Sequence, residues 1–273
     1  APSMSKPSIR PSQVSLTGGI GVRASASVSF KSHQDYVRFG TITNPKRFWP
    51  SWRAEHPGYE GAEISIYSGY IVNGAFDQLN FQKRDFILDS FGHNESGANI
   101  TAKDTLKLAS NDRSKAPRKS SGLISADITN TETSITLTPS GVGDSEYPLS
   151  GWGRLGDEVV SFTRASGSDV CTIVRAAYNT LADTHSINDV FQLCLYYSDT
   201  ISNIQYDLLV NYSGVSAAVI PKAEWDNEAG LFLPGLYQAL ITSPTGVSSL
   251  LKELGETAPN YMFWDERTNL INM

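Results

Sequence analysis

Apolar and polar positions alternate early in the chain. Ala24, Ala26, Val28 and Phe30 alternate with Ser25, Ser27 and Ser29, and a period of two marks a half-buried strand. Ala62, Ile64 and Ile66, set against Glu63, Ser65 and Tyr67, predict a second strand. Gly69 to Val72 predicts a third, with Asn73-Gly74 as its turn. Phe86 to Phe91 and Asn99 to Lys103 add two more, and Asp104 to Ala109 a short turn of helix. Residues 31–60 read as irregular, because Pro45, Pro50 and Pro57 interrupt a segment carrying the aromatic cluster Phe48, Trp49 and Trp52.

Residues 110–122 read as a solvated linker rich in Ser, Asn, Lys, Arg, Pro and Gly. A second β segment follows over roughly 123–197. Ile135 and Leu137 alternate with Ser134, Thr136 and Thr138. Val159, Val160 and Phe162, then Cys171 to Val174, then Val190 to Tyr197, supply further strands of a small barrel or sandwich. Beyond it the period changes. Ile201, Ile204, Leu208 and Tyr212 build one apolar helix stripe that Gly214 can stop. In a second predicted helix Ser243 is the cap, Pro244 the first residue, Val247, Leu250, Leu251 and Leu254 the buried face, and Gly255 the terminator. Tyr261 to Asp265, a polar turn and Leu270 onward predict a hairpin.

Composition narrows the classes. With 40% hydrophobic and 18% charged residues in 273, the chain has the makings of a folded protein with a sizeable core. The net charge of −6 disfavours a phosphate-gripping surface, which needs clustered Lys and Arg. The basic stretch Arg113, Lys115, Arg118 and Lys119 is read as part of the linker. Cys171 and Cys194 are too few to close a zinc site alone. They fit buried free thiols or a disulfide between neighbouring strands, and their spacing leaves both open. No apolar run reaches ~18 residues, and no signal peptide is visible. The chain starts at Ala1 without a Met and stops at Met273 as a strand begins. The expectation is an internal piece of a longer polypeptide, although processing would also explain the start.

Candidate chemistry is sparse. Gly19-Ile20-Gly21-Val22-Arg23-Ala24 matches a dinucleotide fingerprint in letters, yet a period-two strand follows where a helix is required. His33, His56, His93 and His185 are far apart in sequence. The carboxylate pairs Asp157-Glu158 and Asp265-Glu266 could serve a glycosidase only if the fold sets them ~5–10 Å apart. Trp49, Trp52, Tyr59, Trp152 and Trp264 could stack on sugars, or fill cores and interfaces. The sequons at Asn94, Asn99 and Asn211 carry little weight without a secretory signal. No catalytic, cofactor-binding or metal residue is assigned.

The run Arg23 to Phe30, then "IYSGYI" at 66–71, "FQKRDFILDS" at 81–90 and "ITAKDTLKLA" at 100–109, resembles the N-terminal half of tail-tip hub proteins of long-tailed bacteriophages. "YDLLVNYSGV" at 206–215, "SPTGVSSLLKEL" at 243–254 and "FWDERTNLI" at 263–271 extend the resemblance. The middle segment, "EYPLSGWGRLGDEVVSFTR" at 146–164 and "IVRAAYNTLADTHSINDVFQL" at 173–193, is similar to a small β module inserted in many phage tail proteins. That module has an Arg-Gly and a Gly-Thr pair where this chain has Arg175-Ala176 and Asn179-Thr180, which puts the turn geometry there in question.

The resemblance implies a β-rich α+β chain. A tail-tube-like β hub domain would span 1–119, an inserted small β-barrel or sandwich module 120–197, and a mixed α/β segment 198–273 would return to the hub. It implies a homotrimeric structural virion component at the tail tip or baseplate, assembled in the host cytoplasm, with no enzymatic activity and no cofactor. Its partners would be itself, tail-tube and distal tail proteins, and in some assemblies the tape-measure and tail-fibre proteins. DNA would pass without specific binding, which the acidic balance suits. The alternative is a carbohydrate-binding or carbohydrate-cleaving host-adsorption protein, suggested by the Trp and Tyr content.

Overall fold

The computed structural model describes residues 4–13, 19–33, 47–74 and 77–273. In chain order the elements are β1 (Ser8–Arg10), β2 (Gly19–Ile20), β3 (Ser25–Lys31), α1 (Phe48–Glu55), β4 (Glu63–Gly69), β5 (Phe81–His93), β6 (Gly97–Lys103), β7 (Lys115–Ala116), β8 (Leu123–Ile124), β9 (Ser134–Thr138), α2 (Val142–Glu146), β10 (Ser150–Leu155), β11 (Glu158–Arg164), β12 (Val170–Val174), β13 (Gln192–Asp199), α3 (Ile201–Asp207), α4 (Lys222–Phe232), β14 (Tyr237–Ile241), β15 (Thr245–Gly246), α5 (Val247–Thr257), β16 (Tyr261–Asp265) and β17 (Leu270–Asn272). The chain is mixed α+β and rich in strands. Among the described residues no helix is long and apolar enough to cross a membrane. Two compact units emerge: residues 1–111, 214–228 and 251–273, and residues 112–213 and 229–250.

The first unit contains a five-stranded sheet in the order β1-β3-β6-β5-β4. The Ser/Ala alternation forms β3 as expected, with Ala24 and Ala26 buried. Residues 31–60 are not wholly irregular, since α1 occupies 48–55. Pro50 is tolerated because it lies in the first turn, where its missing N–H would have had no helical partner. Trp49 is buried in α1 and packs with Phe30, Phe48, Trp52, Tyr59, Phe91 and Ile100. Pro45 lies outside the described residues. Gly69 to Val72 is not a separate strand: Gly69 ends β4, and Asn73 and Gly74 make the turn with φ of 53° and 73°. The hairpin of β16 and β17 forms as expected and gains β2 as a parallel neighbour. The sequence pattern misses α4. Its Trp225, 2% exposed, donates from Nε1 to the Ile271 carbonyl at 2.9 Å.

The second unit is built on a closed barrel. Antiparallel registers run β13-β10-β11-β12-β9-β8. The residues leading into β13 then return to β8: Ile124 N donates to Asp189 O at 3.0 Å, Asn188 N to Ile124 O at 2.9 Å, and Phe191 N to Gly122 O at 2.9 Å. Closure leaves these strands no free edge. Ile124, Ile135, Leu137, Tyr147, Leu155, Val160, Phe162, Cys171, Ile173 and Phe191 fill the interior, and each large apolar side chain so buried contributes about 1.5–3 kcal/mol. Beyond Cys194, β13 leaves β10 and pairs with β14.

Two expectations for this unit change. Residues 110–122 are not a free linker: β7 pairs with β15, Ala116 is fully buried, and Gln192 holds Arg118 O and Ser120 N. The side chains of Arg113, Lys115, Arg118 and Lys119 are exposed all the same. The Ser243-Pro244 cap does not open α5 either. Thr245 and Gly246 are drawn into the ladder with β7 first, so the helix begins at Val247. Gly255 does not end it but is buried within it, and the helix runs on to Thr257.

Candidate functional site

β11 alternates in and out of the barrel. Val160 and Phe162 face the interior, and Glu158 shares their parity. A carboxylate is thereby brought to the mouth of an apolar core, where it must be paired. Its side chain is 0% exposed. Oε1 accepts from Arg175 Nε at 2.8 Å and Ala176 N at 3.0 Å. Oε2 accepts from Arg175 Nη2 at 2.7 Å, His185 Nε2 at 2.9 Å and Asp183 N at 3.2 Å. The carboxylate can only accept while ionised, so His185 Nε2 is the donor in that bond.

Arg175 uses all five of its donors. Besides the bonds to Glu158, Nη1 donates to Thr129 O at 2.7 Å and Glu132 O at 3.1 Å, and Nη2 donates to Asp183 O. One ion pair thus ties β11 to the loops at 129–132, 175–176 and 183–185. Burial alone would raise the Glu158 pKa. The bonds from Arg175, His185, Ala176 and Asp183 outweigh it and hold the carboxyl down at about 2. Every lone pair is engaged, so the group has no free position to take or give a proton. Chemically this is a clasp.

The clasp closes over unusual backbone. Ala176 and Asn179, where the sequence left the turn geometry in question, both adopt the left-handed conformation that glycine favours, with φ of 56° and 60°. Tyr178 between them also has positive φ, 52°.

The other candidates do not converge. Asp157 is exposed while its neighbour Glu158 is buried, so that pair is split. Glu266 accepts from Ser12 N at 2.9 Å and faces Arg84 Nε at 3.6 Å, while Asp265 closes its own turn on Arg267 N at 2.9 Å. These two line an open groove of ≈ 420 Å³ with Pro11, Gln82 and Phe263. A wider cleft of ≈ 720 Å³ holds Arg47, Glu55 and His93. His33 stacks on Phe48, His56 on Trp52, and His93 lies against Phe91. Among the described residues only His185 pairs with a carboxylate, that of Glu158. Among the described residues no group of three or more His, Cys, Asp or Glu side chains is arranged to hold a metal ion.

Gly21 is a structural glycine: a Cβ there would lie 2.5 Å from Gln13 O, and the strand β3 follows instead of a helix. Of the aromatics, Trp49 and Trp264 are buried, Trp52 and Tyr59 pack on Phe91, and Trp152 remains on the barrel surface against Tyr178. Cys171 and Cys194 are free, buried thiols, with burial raising both to about 11.

Sequence reasoning missed Asp104. It is fully buried, accepts from Ala24 N at 2.6 Å, and burial pushes it up to about 6 against the pull of that bond and of Arg23. The chain matches no protein-family model, no curated protein and no solved structure.

Proposed function

We propose that this chain is a structural virion component, the central hub of a long-tailed bacteriophage tail tip, with three copies around the tail axis. The observation that carries the reading is the edge of the first unit's sheet. β4 stands last in the strand order, and the connection from it to β5 presents Tyr70, Ile71, Val72 and Leu79, which are 86%, 64%, 50% and 92% exposed. Among the described residues no strand pairs with the outer edge of β4, and such an edge beside large exposed apolar side chains favours association. A ring of copies covers such surface.

The order of sequence motifs that resembles hub proteins supports the same reading, as does the clasped barrel, whose buried ions are spent on holding loops. A net charge of −6 suits a passage that lets DNA slide through. Imaging of intact particles carrying this chain tests the proposal. Three copies around the tail axis are expected, and a chain found only as a free monomer would overturn it.

A further inference from the structure

The barrel's outer wall carries a surface that neither the core nor the clasp uses. The strand registers set Trp152, Ser161 and Val174 side by side across β10, β11 and β12, with the buried Cys194 beside Trp152 on β13. Tyr178 reaches over from its loop, its ring 4.8 Å from that of Trp152 at 71°. Tyr196, two residues past Cys194, faces the same side. Tyr178, Tyr196 and Val174 are 49%, 41% and 66% exposed.

Two further observations separate this patch from ordinary exposed apolar surface. Tyr178 holds its half-exposed ring on a left-handed backbone, φ 52° and ψ 39°, a conformation that bulky residues avoid and that concentrates at binding sites. Arg154, two residues from Trp152 on the same face of β10, lies within electrostatic reach of Cys194. Its guanidinium has no hydrogen bond or ion pair among the described residues.

A corner of two nearly perpendicular aromatic rings takes the apolar face of a sugar ring against one of them, and an unpaired guanidinium takes a carboxylate through two parallel bonds. One cation suits one carboxylate per ring. A phosphate polymer would need a row of cations, which a single guanidinium does not supply. We propose that this wall binds an acidic sugar, a pyranose carrying one carboxylate, with its ring against Trp152 and Tyr178 and its carboxylate on Arg154. The proposal stands independently of the hub reading.

Titration of the full chain with tetragalacturonic acid, followed by calorimetry and by the Trp152 indole N–H signal, tests it. Saturable binding that moves the Trp152 signal is expected, with uncharged maltotetraose at least about tenfold weaker. Arg154→Gln should remove that preference. Tyr178→Asn, which tolerates the left-handed backbone, should weaken both sugars, and melting curves check that each variant folds. Absence of saturation at ~10 mM, or affinity unchanged in both variants, would overturn the proposal. So would a Trp152 signal that moves with protein concentration alone, which would assign the wall to a second copy, or tighter binding of a single-stranded oligonucleotide.

Discussion

Arg175 and Glu158 meet fork to fork, with Nε–Oε1 at 2.8 Å and Nη2–Oε2 at 2.7 Å, and only 8% and 0% of their side chains exposed. Removing one partner strands the other charge in a low-dielectric setting. Arg175→Met is expected to cost about 3–5 kcal/mol, read as a lowered urea midpoint. The double variant Arg175→Met/Glu158→Leu should regain much of that loss. If the double variant is no better than the single, the bonds to the loops matter more than the charge.

Two buried carboxyls, those of Glu158 and Asp104, respond to pH with opposite signs. Glu158 is held at about 2, below its unfolded value, so its contribution is complete above about pH 4.3 and fades as pH falls through 2. Asp104 is raised to about 6, so its proton is retained by the folded state. The first unit is therefore most stable below about pH 3.9 as far as this group is concerned, and loses on the order of 3 kcal/mol as pH rises through 6. Amide hydrogen exchange should show Ala26 gaining protection between pH 7 and 5 while Val160 does not. Asp104→Asn should abolish the gain at Ala26.

Ala176 sits at φ 56° with its N–H committed to Glu158. A Cβ in that conformation costs about 1–2 kcal/mol, partly offset by the larger unfolded freedom of glycine. Ala176→Gly should stabilise the barrel by about 1 kcal/mol in a denaturant melt. A β-branched residue at the same position should destabilise it by more.

Cys171 and Cys194 are buried, and burial lifts both thiols to about 11. The thiolate is the reactive form. Neither should react with a thiol-specific disulfide reagent at pH 8 in the native chain, and both should react fully in denaturant. Rapid native labelling of either would contradict its burial.

Half-buried strands were readable because their alternation is the direct trace of one wet and one dry face, as in β3 and across the barrel. α1 was hidden by Pro50, whose tolerance depends on falling within the first turn. α4 was hidden because Trp225 and Ala229 are its buried residues among largely polar neighbours, which leaves no apolar stripe. The clasp was half legible. Glu158 keeps step with the inward Val160 and Phe162, and an acid at an inward position must find a partner. Which partner it finds, 17 or 27 residues away at Arg175 or His185, is decided by loop paths that periodicity does not encode.

β13 serves two sheets in succession. Residues 192–194 complete the barrel and residues 195–199 carry β14. A slip of one position would expel Leu193 from the barrel and, in the same movement, pull Tyr197 off Asp207, to which its hydroxyl donates at 2.6 Å. Each half of the strand therefore locks the alignment of the other, and the barrel and its β14 extension should come apart as a single cooperative event.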